Sequence, residues 1–354
     1  NQLAILARVL QEWSTAPELG KLLEELEPYA QSLDPDSDDA RLIKVSTKDF
    51  HKATCIPTEY VVEFNQVTAV AQQAWVEARQ KSDFSHFLPH LEKVVELRQR
   101  YASFFPGVEH PYDALLDDFE PGMKTADVKT IFNLLRPQQV ALLQAIASKP
   151  QVEDAFLHQP FDEKKQWAFG VEIISKFGYD WNHGRQDKAA HPFTQSAGRT
   201  DVRITTRVYP DFLNTMLFGT MHETGHALYG LGSNPALDRT GLDGGASLAV
   251  HESQSRMWEN LVGRSLPFWQ HFYPRLQEIF PVQLGNVPLE KFYKGINKVQ
   301  PSLIRVEADE TTYNLHIMLR LEIEIALMEG KLAVKDLPAA WNSRMQEYLG
   351  VTPP

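Results

Sequence analysis

Apolar residues recur every three or four positions along most of the chain, which is the spacing that one face of an α-helix produces. Residues 82–104 show this stripe clearly, for example at Phe87 and Leu91. The same spacing predicts helices over residues 125–148, 163–177, 211–230, 250–262, 303–329 and 335–348. We expect Pro137 to split the first of these further segments into two helices, because proline lacks the amide hydrogen that a helix interior needs.

Residues 200–209 depart from this spacing, because apolar and polar residues alternate there. Val202 and Ile204 fall on one face, and Arg203 and Arg207 fall on the other, as is typical of a β-strand. Glycine and proline residues precede the segment and suit a hairpin or an ordered loop. The sequence therefore predicts a mainly α fold with one small β element near 200–209.

Composition and charge narrow the class of protein. The chain has 354 residues, of which 43% are hydrophobic and 23% charged, and nothing resembles a linker, so we expect one domain over residues 1–354. The formal charge of -11 argues against nucleic-acid binding, which needs a basic face. No apolar run approaches the roughly 20 residues of a membrane span. The single cysteine, Cys55, cannot form an internal disulfide, which fits a reducing compartment such as the cytoplasm.

The segment His222-Glu223-Thr224-Gly225-His226 lies inside the predicted helix 211–230. Histidines four positions apart stand one turn apart on a helix, so both imidazoles can reach one metal ion. The glutamate beside the first histidine can then act as a general base for water activated by the metal. The alternative is a pair of ordinary histidines on a helix, but the helical setting and a candidate third ligand favour a metal site.

Glu252, near the start of the predicted helix 250–262, is the candidate third ligand. A carboxylate on a following helix completes the site in zinc peptidases that use two histidines and one glutamate. The alternative is a first-turn acid that only stabilises the helix dipole. The later histidine that another class of zinc peptidases uses is absent, because Gly232 stands at that position.

A second polar stripe appears in the predicted helix 303–329, at Arg305, Asp309, Thr312 and His316. Arg305 and Asp309 could simply neutralise each other. In a functional site, the Arg305 guanidinium could bind the carboxylate of a substrate. The Asp309 carboxylate could accept a hydrogen bond from the second ring nitrogen of a metal-binding histidine. Arg203 competes for the first role, unless it only guards an exposed edge strand with its charge.

These residues resemble the carboxypeptidase Taq family of metallocarboxypeptidases. Besides the histidine motif, the chain carries further blocks in that family's order and spacing: Tyr112-Asp113-Ala114-Leu115-Leu116-Asp117-Asp118, His191-Pro192-Phe193, Asp201-Val202-Arg203-Ile204-Thr205, His251-Glu252-Ser253-Gln254 and Ile304-Arg305-Val306-Glu307-Ala308-Asp309. The resemblance covers at least residues 105–350. Together the blocks are far more specific than the histidine motif alone.

The resemblance implies a helical, cleft-bearing zinc peptidase fold of the neurolysin-like kind, in a cytoplasmic homodimer. It implies release of single residues from peptides with a free C-terminus, with broad specificity, using zinc or cobalt. The implied metal ligands are His222, His226 and Glu252, the implied general base is Glu223, and the implied substrate-binding residues are Arg203 and Arg305. Further candidates, which would line the cleft or support the metal ligands, are His251, Asp309, His316 and His191. The loop and strand from His191 to Thr205 would cap one end of the groove.

The chain also departs from that family, whose members are longer. It starts without methionine and stops at Pro354, before the family's last motifs, so we expect it to be trimmed at both ends and to lack part of the oxyanion-stabilising site. Two other functions stay open at this point. One is a helical zinc oligoendopeptidase or dipeptidase, and the other is an incomplete homologue that binds metal or peptide without hydrolysis.

Overall fold

The computed structural model describes residues 2–354, which are mainly α-helical. The helices in the first part of the chain are α1 (Gln2–Ser14), α2 (Pro17–Ser32), α3 (Asp38–Thr54), α4 (Thr58–Lys81), α5 (Phe84–Ser103), α6 (Pro111–Leu116) and α7 (Thr125–Ala147). Those that follow are α8 (Glu163–Phe177), α9 (Leu213–Leu231), α10 (Leu248–Arg256), α11 (Leu266–Ile279), α12 (Pro281–Leu284), α13 (Leu289–Ile296), α14 (Glu310–Met328) and α15 (Leu337–Leu349). A π-helical segment, Met257–Val262, continues α10.

The β element is a three-stranded sheet formed by β1 (Gln186–Lys188), β2 (Thr194–Ser196) and β3 (Val202–Thr206). The strand order is β1-β3-β2, with β1 parallel and β2 antiparallel to β3. The predicted alternation holds at Val202, Arg203 and Ile204, which are buried, exposed and buried. Because β3 lies in the centre of the sheet, the interpretation of Arg203 as the guard of an exposed edge strand is wrong.

Contacts between residues divide the chain into two compact units. Of the described residues, the first unit comprises 2–134, Met318–Tyr348 and Thr352–Pro354, and the second comprises Leu135–Ile317 and Leu349–Val351. The first unit has a core that includes Tyr60, Leu97, Tyr101, Leu321 and Ile325. The prediction of one domain over residues 1–354 stays a prediction.

The second unit has an aromatic core. Its buried members include Phe161, Phe169, Phe218, Trp269 and Phe292. The Trp269 indole donates a hydrogen bond to the carbonyl oxygen of Gly263 over 2.7 Å, so its buried N–H is satisfied. Helix α9 contributes Leu213, Leu217 and Met221 to this core, which fixes the helix in place.

Most predicted helices agree with the structure to within a few residues, including α8 over residues 163–177. The expected break at Pro137 is wrong, since α7 runs unbroken from Thr125 to Ala147. Removing one backbone hydrogen bond did not end a helix of 23 residues. The predicted start of the helix 303–329 is also wrong. Helix α14 begins only at Glu310, and Arg305–Glu307 forms a separate 3₁₀ turn. Within residues 2–354, no helix combines the length and apolarity that a membrane crossing requires.

Candidate metal centre and active site

The two histidines of the motif lie on α9. The neighbouring positions Met221, Glu223, Thr224, Gly225 and Ala227 are all buried, so the helix is embedded on several sides. The imidazole rings of the two histidines, His222 and His226, have centroids 5.0 Å apart. The four-residue spacing therefore places both rings on one side of the helix, as predicted.

Glu252 reaches the histidines because α10 lies very close to α9. A Cβ atom at Gly225 would be only 2.6 Å from the carbonyl oxygen of Gln254, so the contact requires glycine there. The Oε2 atom of Glu252 lies 3.6 Å from Nε2 of His222 and 3.7 Å from Nε2 of His226. The glycine inside the motif thus lets the second helix bring the carboxylate to the imidazoles.

These three residues fit a bound metal ion. Their ligand atoms all lie within 4.8 Å of one another. Two ligands about 2.1 Å from a tetrahedral ion are about 3.4 Å apart, close to the two observed nitrogen–oxygen distances. Two imidazole nitrogens and one carboxylate are also the donor set of catalytic zinc sites that leave a fourth position open. His222, His226 and Glu252 therefore form the candidate metal centre.

Glu259, which the sequence analysis did not single out, supports His222 from behind. Its Oε2 atom accepts a hydrogen bond from Nδ1 of His222 over 2.8 Å, which leaves Nε2 to face the metal centre. Arg256 and Arg264 place guanidinium nitrogens 3.3 and 3.8 Å from the same carboxylate. Burial alone would raise the pKa of Glu259, but the bond to His222 and the two guanidinium charges hold it below its usual value.

His251 supports His226 in a similar way. The two Nδ1 atoms are 3.1 Å apart, so one of them donates to the other. Because Nε2 of His226 faces Glu252, the donor in the metal-binding tautomer is Nδ1–H of His226. Burial, followed by the charge of His222, lowers the pKa of His226 to about 4. A neutral imidazole at neutral pH is the form that binds a metal.

Glu223 is turned toward the sheet rather than toward solvent, with only 6% of its surface exposed. The hydroxyl of Thr194, on β2, lies 2.7 Å from Oε2 of Glu223 and 3.0 Å from its backbone oxygen. Burial raises the pKa of Glu223 above its usual value, against the opposing influence of His222 and Thr194. The position of Thr194 directly after His191-Pro192-Phe193 was the only sequence signal that could have identified it.

Arg203 and His191 lie on exposed parts of the sheet region. The Arg203 guanidinium donates two hydrogen bonds to Asp201, over 2.7 and 2.8 Å, so its charge already has a carboxylate partner. The Nδ1–H of His191 donates to the carbonyl oxygen of Pro192 over 2.8 Å. His191 also lowers the pKa of Glu223, less than His222 and Thr194 do.

The predicted polar stripe of Arg305, Asp309, Thr312 and His316 on one helix is wrong, because only Thr312 and His316 lie on α14. Asp309 instead caps that helix, and its Oδ1 accepts hydrogen bonds from the backbone N–H groups of Thr311 and Thr312 over 2.9 and 3.0 Å. His316 is buried in α14. Arg305 donates a hydrogen bond to the hydroxyl of Tyr313.

Comparison with known proteins identifies the family. A sequence profile of the carboxypeptidase Taq (M32) metallopeptidase family matches residues 1–354. The thermostable carboxypeptidase 1 of Thermus thermophilus is 44% identical over 363 aligned positions, which cover 100% of this chain and 71% of that protein. The protein of the same name from Pyrococcus furiosus is 38% identical over 360 positions, covering 100% of this chain and 70% of that protein.

Solved structures give the same result. The M32 carboxypeptidase from Deinococcus radiodurans is 42% identical with a TM-score of 0.93, over 100% of this chain and 70% of that chain. Metallocarboxypeptidase 1 of Trypanosoma cruzi is 33% identical with a TM-score of 0.89, over 97% of this chain and 69% of that chain. The predicted family and the mainly helical fold are confirmed. The chain belongs to the carboxypeptidase Taq (M32) family of metallopeptidases.

Proposed function

We propose that this chain is a metal-dependent carboxypeptidase that releases single amino acids from the C-termini of peptides. Its membership of the M32 family supports the activity, as do the carboxypeptidase names of its relatives. The observation that carries the proposal is the convergence of two imidazole nitrogens and the Glu252 carboxylate beside the buried Glu223. An incomplete homologue without activity has no such support among these residues.

In the proposed reaction each residue has one task. His222, His226 and Glu252 would hold the ion, which supplies Lewis acidity toward the scissile carbonyl and lowers the pKa of water. Glu223 takes a proton from the attacking water and gives it to the leaving amine. Its raised pKa favours keeping that proton until the amine departs.

The substrate carboxylate is assigned to Arg305 rather than to Arg203. Arg203 already donates twice to the Asp201 carboxylate, whereas the hydrogen-bond partner of Arg305 is the neutral hydroxyl of Tyr313. A guanidinium whose charge is not offset binds an incoming carboxylate more strongly. Holding the terminal carboxylate places the last peptide bond at the catalytic residues, which is how an exopeptidase selects it.

Zinc is the ion we propose, because two imidazoles and one carboxylate are its usual donors in hydrolases. Cobalt suits the same donor set and is the second choice. We also propose a homodimer in the cytoplasm. Helix α1 supports an association surface, since Leu3, Leu6, Leu10 and Trp13 are 65 to 75% exposed along one side of it. The exposed, unpaired thiol of Cys55 suits a reducing compartment.

The reaction class is tested with two peptides that differ only at the C-terminus. The purified chain, reloaded with zinc or cobalt, is incubated with an N-blocked peptide bearing a free carboxylate and with its C-terminal amide. We expect a free amino acid to be released from the first peptide only, because a neutral amide cannot pair with Arg305. Released products are identified by mass spectrometry.

The alternatives give different products. An oligoendopeptidase would cleave both peptides at an internal bond, and a dipeptidase would act only on a two-residue substrate. Release from neither peptide, with stoichiometric metal bound, would contradict the proposed activity and favour a homologue that binds metal without hydrolysis. The same preparation treated with a chelator serves as the control, and it should be inactive until metal is returned.

Replacing Thr194 with valine tests how Glu223 is oriented. Valine keeps the shape of the side chain but removes the hydroxyl that donates to the Glu223 carboxylate. We expect kcat to fall about tenfold, because a hydrogen bond to a charged group is lost, with zinc content and KM nearly unchanged. Steady-state kinetics on the free-carboxylate peptide measure both constants.

Two controls accompany this variant. Thr194→Ser restores the hydroxyl and should recover most of kcat. Thr130→Val removes an exposed hydroxyl on α7 that bonds only the backbone of Ala126, and it should behave as the original chain. A Thr194→Val variant with unchanged kcat would show that the threonine does not orient the base.

A further inference from the structure

Tyr313, in the first turn of α14, contacts two arginines: the guanidinium carbons of Arg256 and Arg305 lie 4.2 and 5.4 Å from the centre of its ring. Both distances are within the range of a cation–π contact. The Tyr313 hydroxyl also accepts a hydrogen bond from Nη1 of Arg305. The backbone N–H of Tyr313 donates to the carbonyl oxygen of Asp309 over 2.9 Å. The backbone of α14 therefore fixes the position of Tyr313, and the tyrosine side chain contacts two guanidinium groups.

Arg256 connects this ring with the metal centre. Its Nη1 atom lies 3.3 Å from Oε2 of Glu259, and the same oxygen accepts the 2.8 Å hydrogen bond from Nδ1 of His222. Consecutive contacts thus run from His222 through Glu259 and Arg256 to Tyr313, and from there to Arg305. The guanidinium assigned to the substrate carboxylate is tied to the residues that orient a metal ligand.

Arg305 needs such a tie because its backbone is weakly anchored. It lies in a 3₁₀ turn of three residues outside α14. Its neighbours Ile304 and Val306 are each 54% exposed, so apolar packing does not fix the turn. A long arginine side chain on such a turn would sample many rotamers in solvent. A hydrogen bond to a hydroxyl on a rigid helix selects one of them.

We propose that Tyr313 is a positioning residue that sets the distance between the Arg305 guanidinium and the metal centre. The proposal rests on the proposed carboxypeptidase function and names the residue that determines where the substrate carboxylate is held. A carboxylate bound at a fixed distance from His222 selects the terminal peptide bond and no other. Tyr313 acts through Arg305 and is not itself assigned any contact with the reacting atoms.

The test uses Tyr313→Phe, which keeps the ring contacts with Arg256 and Arg305 and removes only the hydroxyl that accepts the hydrogen bond from Arg305. We expect KM for the free-carboxylate peptide to rise about tenfold, with kcat changed less than about twofold and zinc affinity unchanged. Tyr293→Phe, on α13, is the matched control and should match the original chain. An unchanged KM in Tyr313→Phe would overturn the proposal.

A double-mutant comparison separates positioning from a general structural effect. In an Arg305→Met background the guanidinium is gone, so adding Tyr313→Phe should change KM by less than about twofold. If the tyrosine substitution raises KM equally with and without the guanidinium, it does not act through Arg305 and the proposal fails. Equal thermal unfolding temperatures of the original chain and the Tyr313→Phe variant verify that the fold is retained.

Binding measurements keep this test independent of turnover. Calorimetric titration of the zinc-loaded Glu223→Gln variant with the free-carboxylate peptide and with its amide gives dissociation constants without hydrolysis. We expect the free-carboxylate peptide to bind more tightly than the amide. Adding Tyr313→Phe to the Glu223→Gln variant should reduce the ratio of the two dissociation constants about tenfold. Failure of the proposed function would appear as an inactive original chain. Failure of the present proposal would appear as a preference that Tyr313→Phe leaves intact.

Discussion

Replacing Glu223 with glutamine is expected to lower kcat by about 100- to 10,000-fold while zinc stays bound. Glutamine has nearly the same shape and can still accept a hydrogen bond from Thr194, but it cannot take a proton from water. His222, His226 and Glu252 remain in place, so the metal affinity should be unchanged. Steady-state kinetics and metal analysis of the same preparation give both quantities.

The control for this variant is Glu172→Gln, on α8, which alters an exposed ion pair with Arg275 on α11. Its activity should stay within about twofold of the original, since such surface pairs contribute little. Substantial hydrolysis by Glu223→Gln would contradict the assignment of the general base. Loss of zinc from that variant would instead show that Glu223 holds the metal centre together, and the loss of turnover would then say nothing about proton transfer.

The grouping of residues in the candidate metal centre was predictable because most of its geometry is local. Residues four apart on a helix share a face in almost any fold, so His222 and His226 could be paired from the sequence alone. Predicting Glu252 as the third ligand required the further assumption that α10 lies close against α9. Gly225 permits that contact, because any larger residue would collide with the backbone at Gln254. The glycine that permits the contact between α9 and α10 is thus visible in the sequence, although the spacing of the motif alone does not predict the contact.

Glu259 and Thr194 were not predicted, because their roles depend on tertiary structure. Glu259 lies seven residues after Glu252, two helical turns further on, which was a usable signal. It could not be distinguished from an ordinary surface glutamate until Arg256 and Arg264 were seen to surround it. Thr194 becomes important only because β2 pairs with the central strand and so brings its hydroxyl to the general base.

The errors near the start of α14 have a physical cause. Leu303, Ile304 and Val306 fit a helical apolar pattern, but all three are about half exposed. Periodicity cannot distinguish an apolar residue that packs from one that does not. The carboxylate of Asp309 accepts the first free N–H groups of the helix, so the helix starts after it. That boundary separated Arg305 from the stripe and placed it on the turn where Tyr313 holds it.

Replacing Glu259 with leucine is expected to weaken zinc binding by about 10- to 100-fold, because His222 loses the acceptor that orients its ring. The change also leaves Arg264 without its carboxylate. The side chains of Arg264 and Glu259 are each only 15% exposed, and breaking such a buried pair costs about 3 to 5 kcal/mol of folding free energy. Competition with a fluorescent chelator measures the affinity, and denaturant unfolding of the metal-free protein measures the stability.

Glu259→Gln separates these two effects. Its amide oxygen can still accept a hydrogen bond from Nδ1 of His222, so zinc affinity should fall less than in the leucine variant. The negative charge that faces Arg256 and Arg264 is lost in both variants. Glu278→Leu, which removes an exposed partner of Arg275, is the control and should leave both quantities unchanged. If the leucine variant binds zinc as tightly as the original chain, the bond from Glu259 does not hold His222 in place. A stability loss with intact zinc affinity would then mark Glu259 as a partner of the arginines alone, and the path of contacts from Arg305 would end at Glu259 without reaching His222.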